Sequence, residues 1–407
     1  MDEAIQHARD VALSILRPSQ REIEHGLELH RNSIVCESYG LGLRAAVDGD
    51  AIVAAIEAGA SDLEIQDMME DMSMTRCVTD PREREEYRAA WETSGVTCIL
   101  QNAGEEGNSP LRLIKRLARY TYVTDMMPDV LLRATTPDDI VAAKERGRHC
   151  MYVMCNGVPL PQDWVSVEEE LRCIRVFFQL GCRMMHLTYN RRNAIGDGCA
   201  EPANAGLSDF GRAVVREMNR VGVIVDVAHS GWQTCLDAAR ASERPVVVSH
   251  SCAWALNRHH RCKPDEVIRA IVDTGGTIGI TNVPAFLGGK GDIGTMLDHI
   301  DYVAAKFGVD HVTIGTDRAY VSSATERETA KIPGRARQRT RWEALWQPDD
   351  PIFAPEWRQE RQVQSLAWTN WPVFTIGLVQ RGYSDDDIEK ILGGNVLRVI
   401  REVWPTQ

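Results

Sequence analysis

The sequence predicts an α/β fold, specifically a (β/α)8 TIM barrel, and two observations predict it. Eight short apolar, β-branched runs recur along the chain, and the last five are separated by helical segments such as LSDFGRAVVREMNRVG and PDEVIRAIVDTGG. Buried strands that alternate with helices indicate a parallel sheet. Eight such units over 407 residues suit a closed barrel rather than an open sheet. An open nucleotide-binding sheet would carry GxGxxG or GxxxxGK followed by Ser or Thr after its first strand, and neither motif is there.

The elements follow in order. Residues 1–32 read as helix, with Pro18-Ser19-Gln20 starting a second one. SIVCES (33–38) is the first strand and carries Glu37, followed by Tyr39 and Gly40. A charged helical insertion spans about 41–91, then GVTCILQN (95–102) is the second strand. A helix-rich passage ends in TTPDDIVAAKERG, with Gly147 as C-cap. HCMYVMCN (149–156) is strand three, and Ser166 with Glu169 reads as a capping box opening the next helix. CRMMHLTYN (182–190), GVIVDVAH (222–229), PVVVSHS (245–251), TIGITNV (277–283) and HVTIGTD (311–317) complete the eight. GGKGD (288–292) lacks phosphate-loop spacing and reads as a turn. From about 321 to 360 the chain makes a polar, Pro- and Trp-bearing excursion, whose basic stretch 335–341 reads as solvated surface. Two C-terminal helices, joined near Gly393-Gly394, close a chain that is expected to be one domain over 1–407.

Composition narrows the function. A net charge of −12 without a Lys/Arg stripe makes nucleic acid an unexpected partner. The N-terminus is amphipathic, with early acids and no continuous apolar stretch, so neither a signal peptide nor a membrane span is expected. Eleven cysteines lack CxxC spacing, and several sit in apolar runs, the pattern of reduced, buried thiols in a cytoplasmic protein.

The strand ends offer Glu37, Asn102, Asn156, Tyr189, His229, His250, Asn282 and Asp317, which a barrel would gather around one cavity. A lone histidine closing a strand is usually structural. Two histidines ending consecutive strands, with an aspartate ending the last, point to a metal or acid/base site. Two imidazoles suit Zn²⁺ or a related ion, with a carboxylate as third ligand or general base. Arg261, in the loop NRHHRCKPDE, could grip a substrate carboxylate, although His259, His260 and Arg261 equally suit a solvent-facing basic loop.

LTYNRRNAIGDG, GLSDFGRAVVREMNRVGVIVDVAHSG, PVVVSHS, HHRCKPDEVI, GGTIGI, IGTD and RGYSDDDIEKILGGNVLRVIREVW together resemble the membrane (renal) dipeptidase family over about 181–404. Its members are amidohydrolase-like barrels that cleave dipeptides with two zinc ions. The resemblance implies that His229 and His250 bind the second zinc, that Arg261 grips the substrate carboxylate, and that Asp317 handles the proton. The chain also departs from the pattern. The first strand, IVCESYG, has no His-x-Asp pair, and Cys155-Asn156 stands where a bridging glutamate is usual. Tyr189 replaces the histidine that polarises the scissile carbonyl, and Arg318-Ala319-Tyr320 replaces Phe-Asp-Gly. The expectation is therefore one zinc at most, on His229 and His250 with Glu37 as carboxylate ligand. Tyr189 would donate to the oxyanion and Asn156 would contact substrate. The implied activity is a metal-dependent hydrolase that cleaves a dipeptide or small amide bearing a free carboxylate. A barrel repurposed for another hydrolytic or lytic step on a small carboxylated metabolite, and a non-catalytic ligand-binding relative, both stay open. Family members commonly dimerise, and Trp342, Trp346 and Trp357 would fill an interface or pack on the barrel's own helices.

Overall fold

The computed structural model describes residues 3–104, 106, 108–334 and 342–404. Eleven strands form in chain order: β1 (Cys36–Gly40), β2 (Gly42–Arg44), β3 (Cys98–Asn102), β4 (Leu131–Ala134), β5 (His149–Cys155), β6 (Met184–His186), β7 (Ile224–Asp226), β8 (Val246–Ser251), β9 (Ile278–Ile280), β10 (Val312–Ile314) and β11 (Ala319–Val321). The path β1-β3-β5-β6-β7-β8-β9-β10 is parallel throughout, and each of its strands falls in one of the eight apolar runs. These strands are buried on both faces, which is why they read as apolar runs rather than alternations. The result is a nearly closed (β/α)8 barrel. Its seam is joined just beyond the strands, where Asp317 N–H donates to Tyr39 O at 3.3 Å and Leu41 N–H donates to Arg318 O at 3.1 Å. The parallel pair β11–β2 continues that seam above the rim.

Three strands were not expected. β4 pairs with β5 off the barrel path, and β2 and β11 form through each other. The insertion at 41–91 therefore begins as strand and only then becomes the helices Gly49–Glu57, Asp62–Thr79 and Pro81–Ser94. At the helix Val167–Gln179 the Ser166 hydroxyl accepts from Glu169 N–H, but Glu169 turns to Arg172 at 3.3 Å rather than completing a capping box. The C-terminal helices are not separated at Gly393-Gly394, since a π-turn, Lys390–Gly394, carries Asp385–Glu389 directly into Asn395–Val403. That last helix buries Val396, Val399, Ile400 and Val403 against Cys36, Cys98, Cys150, Met184 and Ile224, and so plugs the bottom of the barrel. Each such side chain contributes roughly 1.5–3 kcal/mol of burial. The stretch 335–341 lies outside the described residues. Among the described residues no two cysteines form a disulfide, and nine of the eleven are buried. No helix among the described residues is long and apolar enough to cross a membrane.

Candidate active site

The polar strand ends lie in two layers at the top of the barrel, and of the eight only Asn102, Asn156, Tyr189 and Asp317 line the cavity there. The lower layer is a sealed group of imidazoles. His186 ends β6, His250 lies in β8, and His229 follows β7 by three residues. Their rings lie 4.9–5.5 Å apart, centroid to centroid. His229 Nε2 and His250 Nε2 are 3.0 Å apart, His229 Nδ1 is 2.6 Å from Asn190 Oδ1, and Ser249 Oγ is 2.9 Å from His250 Nδ1. One tautomer assignment satisfies every contact: His229 donates from Nδ1 to Asn190, accepts at Nε2 from His250, and Ser249 donates to His250 Nδ1. Burial, reinforced by the Arg261 charge, holds both histidines well below their ordinary pKa, so they are neutral.

Arg261 belongs to this lower layer. It is fully buried and donates to Ala228 O, to His250 O at 3.2 Å and to His229 Nε2 at 3.3 Å. Its loop is not solvent-facing, because His259 is buried and both His259 and His260 approach the buried Asp350, at 3.4 and 3.3 Å.

The upper layer is the floor of a cavity of about 1390 Å³, larger than the roughly 300–1,000 Å³ of an ordinary small-molecule site. Tyr39 stacks on His250 at 3.6 Å and Tyr189 on His229 at 3.8 Å, so the two phenols cover the imidazoles. Tyr39, Asn102, Asn156, Tyr189, Asp317 and Arg318 line the cavity, whereas His186, His229, His250 and Arg261 do not. The Tyr39 hydroxyl donates to Asn156 Oδ1 at 3.0 Å and accepts from Asn102 Nδ2 at 2.8 Å, and Asn156 Nδ2 donates to Glu106 at 3.0 Å. The Tyr189 oxygen accepts from Trp342 Nε1 at 3.1 Å, and its O–H has no acceptor among the described residues.

Asp317 adopts a left-handed backbone (φ 55°), as does Asn190 (φ 56°). Such outliers gather at functional sites, and Asp and Asn tolerate the region best among side-chain-bearing residues. No hydrogen bond among the described residues occupies the Asp317 carboxylate. Burial raises its pKa to about 6, against the opposing pull of Arg261, Arg318 and His186. Arg318 donates from Nε to Asn282 O at 3.1 Å, while its buried Nη2 has no partner among the described residues.

Glu37 is placed differently from the metal-ligand expectation. It is fully buried under the seam and accepts from Thr316 N–H at 3.1 Å, from the Thr316 hydroxyl, and from Trp368 Nε1 at 2.7 Å. Burial outweighs these donors and pushes its carboxyl up to about 8, so it is protonated at neutral pH. Gly40 makes room for it, since a Cβ there would lie 2.5 Å from that carboxyl. Asn282 turns its Nδ2 to Leu366 O at 3.4 Å. Trp342, Trp346 and Trp357 line the cavity. The helix Asp62–Thr79 forms one wall, fixed to its neighbour by Glu70 with Arg116 at 2.8 Å and Arg119 at 2.8 Å.

His186 and Asp226 were missed. Each is three residues before a polar residue that was singled out, in MMHLTY and IVDVAH, and that shared spacing in consecutive strands is the signal that could have found them.

A family model for membrane dipeptidase (peptidase family M19) matches residues 95–326, more than half of the chain. The chain belongs to the membrane dipeptidase family. It is 29% identical to dipeptidase tcpJ of Claviceps purpurea over 287 residues, 69% of this chain and 57% of that protein. It is also 29% identical to dipeptidase aclJ of Aspergillus oryzae over 238 residues, 56% of this chain and 47% of that protein. The chain thus spans about half the length of the curated relatives it matches. Among solved structures, an amidohydrolase from Pseudomonas aeruginosa superposes with a TM-score of 0.67 at 24% identity, covering 93% of this chain and 99% of that one. The probable dipeptidase PvdM from the same organism gives 0.65 at 19% identity, covering 94% and 98%. These likenesses establish the fold.

Membrane dipeptidase membership implies a metal cofactor, expected here on His229 and His250. The residues present do not fit an ion at that pair. The two Nε2 atoms face each other at hydrogen-bond distance, and the Arg261 guanidinium lies against the one on His229. Glu37, the expected third ligand, has both oxygens engaged and is held protonated. Above the pair, a phenol and two neutral amides at Tyr39, Asn102 and Asn156 supply no charge to balance a cation.

Proposed function

We propose that this member of the membrane dipeptidase family is a hydrolase of small amides or dipeptide-like substrates that carry a free carboxylate, acting on the cavity floor. One observation carries the reading: Asp317, a carboxylate with no hydrogen bond among the described residues, lines the cavity beside Arg318, whose buried Nη2 has no partner among them. Asp317 takes a proton from water and returns it to the leaving amine, a task suited to a carboxyl raised to about 6. The O–H of Tyr189 donates to the developing oxyanion. Arg318, rather than the buried Arg261, holds the substrate carboxylate. Asn156 keeps Tyr39 and Glu106 in place at the edge of the floor. The test is turnover of a panel of dipeptides and N-acyl amino acids, each paired with its C-terminally amidated analogue. Hydrolysis of the free acids in preference to the amides supports the reading. No turnover of any member, with folded protein, overturns it.

A further inference from the structure

We propose that the chain holds one divalent cation of the zinc class one layer below the expected position, on His186, Asp226 and His250. His186 ends β6 and Asp226 ends β7, and the two are register partners across that strand pair. His250 comes from β8, next along the path, so three consecutive strands aim these donors into the barrel. One ligand atom from each lies within 4.8 Å of the others, and all three residues are fully buried.

The donors have room for a further partner. His186 Nε2 and Asp226 Oδ2 meet each other at 2.7 Å, and His186 Nδ1, fully buried, has no partner among the described residues. Buried polar atoms left in this state are costly and rare, and they call for a ligand. The remaining atoms are already oriented. Asp226 Oδ1 accepts from Ala228 N–H at 2.9 Å and Ser249 N–H at 3.1 Å, which leaves Oδ2 facing His186. Ser249 Oγ holds His250 Nδ1, which leaves Nε2. Outer contacts of this kind fix metal ligands in natural sites. Two imidazoles and a carboxylate, with water in a fourth position, are a zinc-type donor set. On binding, His250 releases His229 and donates from Nδ1 to Ser249 instead, while His229 keeps Asn190 and Arg261. Tyr39 stacks on both His250 and His186, at 3.6 and 5.6 Å, and separates the ion from the cavity. This inference does not depend on the amide-hydrolase reading.

The experiment is titration of the metal-stripped full chain with Zn²⁺ against a chromophoric chelator, and with Co²⁺ followed by its visible absorption. The expected result is one ion per chain in the wild type. His186→Ala and the isosteric Asp226→Asn should weaken binding by about 10–100-fold or more, whereas His229→Ala keeps it within about tenfold. Circular dichroism of the metal-free proteins checks folding, and if His186→Ala does not fold, Asp226→Asn alone decides. An absence of stoichiometric binding, which leaves His186–Asp226 a structural pair, overturns the proposal. So does wild-type affinity in Asp226→Asn, or a loss in His229→Ala as large as that in His186→Ala.

Discussion

The floor of the cavity and the layer beneath it use the same kinds of side chain to opposite ends. Below, His229, His250 and Arg261 are sealed from the cavity and spend their polar atoms on one another and on backbone carbonyls. Above, Asp317 and Arg318 line the cavity, and among the described residues the Asp317 carboxylate and the buried Arg318 Nη2 have no hydrogen-bond partner. The arginine in the lower layer donates to backbone carbonyls, and the arginine in the upper layer lines the cavity. Depth along the barrel axis, rather than residue type, decides which of these side chains line the cavity.

Substitutions can break or sharpen that contrast. Asp317→Asn should lower kcat/KM on a carboxylated amide by about 10²–10⁴-fold, with the melting temperature close to wild type. The two arginines should then divide. Arg261→Ala should cost roughly 3 kcal/mol in urea unfolding, because it leaves two buried carbonyls without donors. Arg318→Ala should spare stability and raise KM for free-acid substrates by about 10–100-fold, the worth of a charged hydrogen bond, with little change for amidated ones. If both variants lose only stability, the upper layer is structural as well.

Glu37 gives a pH-dependent effect. Its folded pKa, about 8, lies above its unfolded value, so its contribution to stability is full at pH 4.5 and is lost as pH rises through 8. Glu37→Gln should therefore be least favourable relative to wild type in acid and gain on it by more than about 1.4 kcal/mol, one pKa unit, by pH 8.5. Urea unfolding of both proteins at pH 5 and 8.5 measures this, and a difference independent of pH would contradict it. The smallest effect is that of Tyr39→Phe, which removes the bonds to Asn102 and Asn156 but keeps the ring on His250. It should cost about 1 kcal/mol.

All eight barrel strands could be read from the sequence, because strands buried on both faces must be apolar runs. β4 could not, since LLRA is short and half-buried within a helix-rich passage. β2 and β11 exist only through each other, and local pattern carries no trace of that pairing. The site was half legible. Strand ends marked Tyr189, His229, His250 and Asp317, but strand register decides which of them reach the cavity. Residue type and the family resemblance made Arg261 a substrate clamp, and position at a strand end made Glu37 a ligand. Packing turned the first to carbonyl oxygens and the second to Thr316 and Trp368. His186 and Asp226 escaped notice because each is followed within three residues by a more conspicuous polar group.

The central claim, that Asp317 on the floor does the acid–base work while the histidines beneath do not, is tested most directly by the pH dependence of kcat/KM on a free-acid amide. Asp317 must be ionised to accept the proton, so activity should rise as pH increases through about 6. That limb should be absent from whatever activity Asp317→Asn retains. Turnover flat between pH 5 and 7.5, or an unchanged limb in Asp317→Asn, would contradict the account.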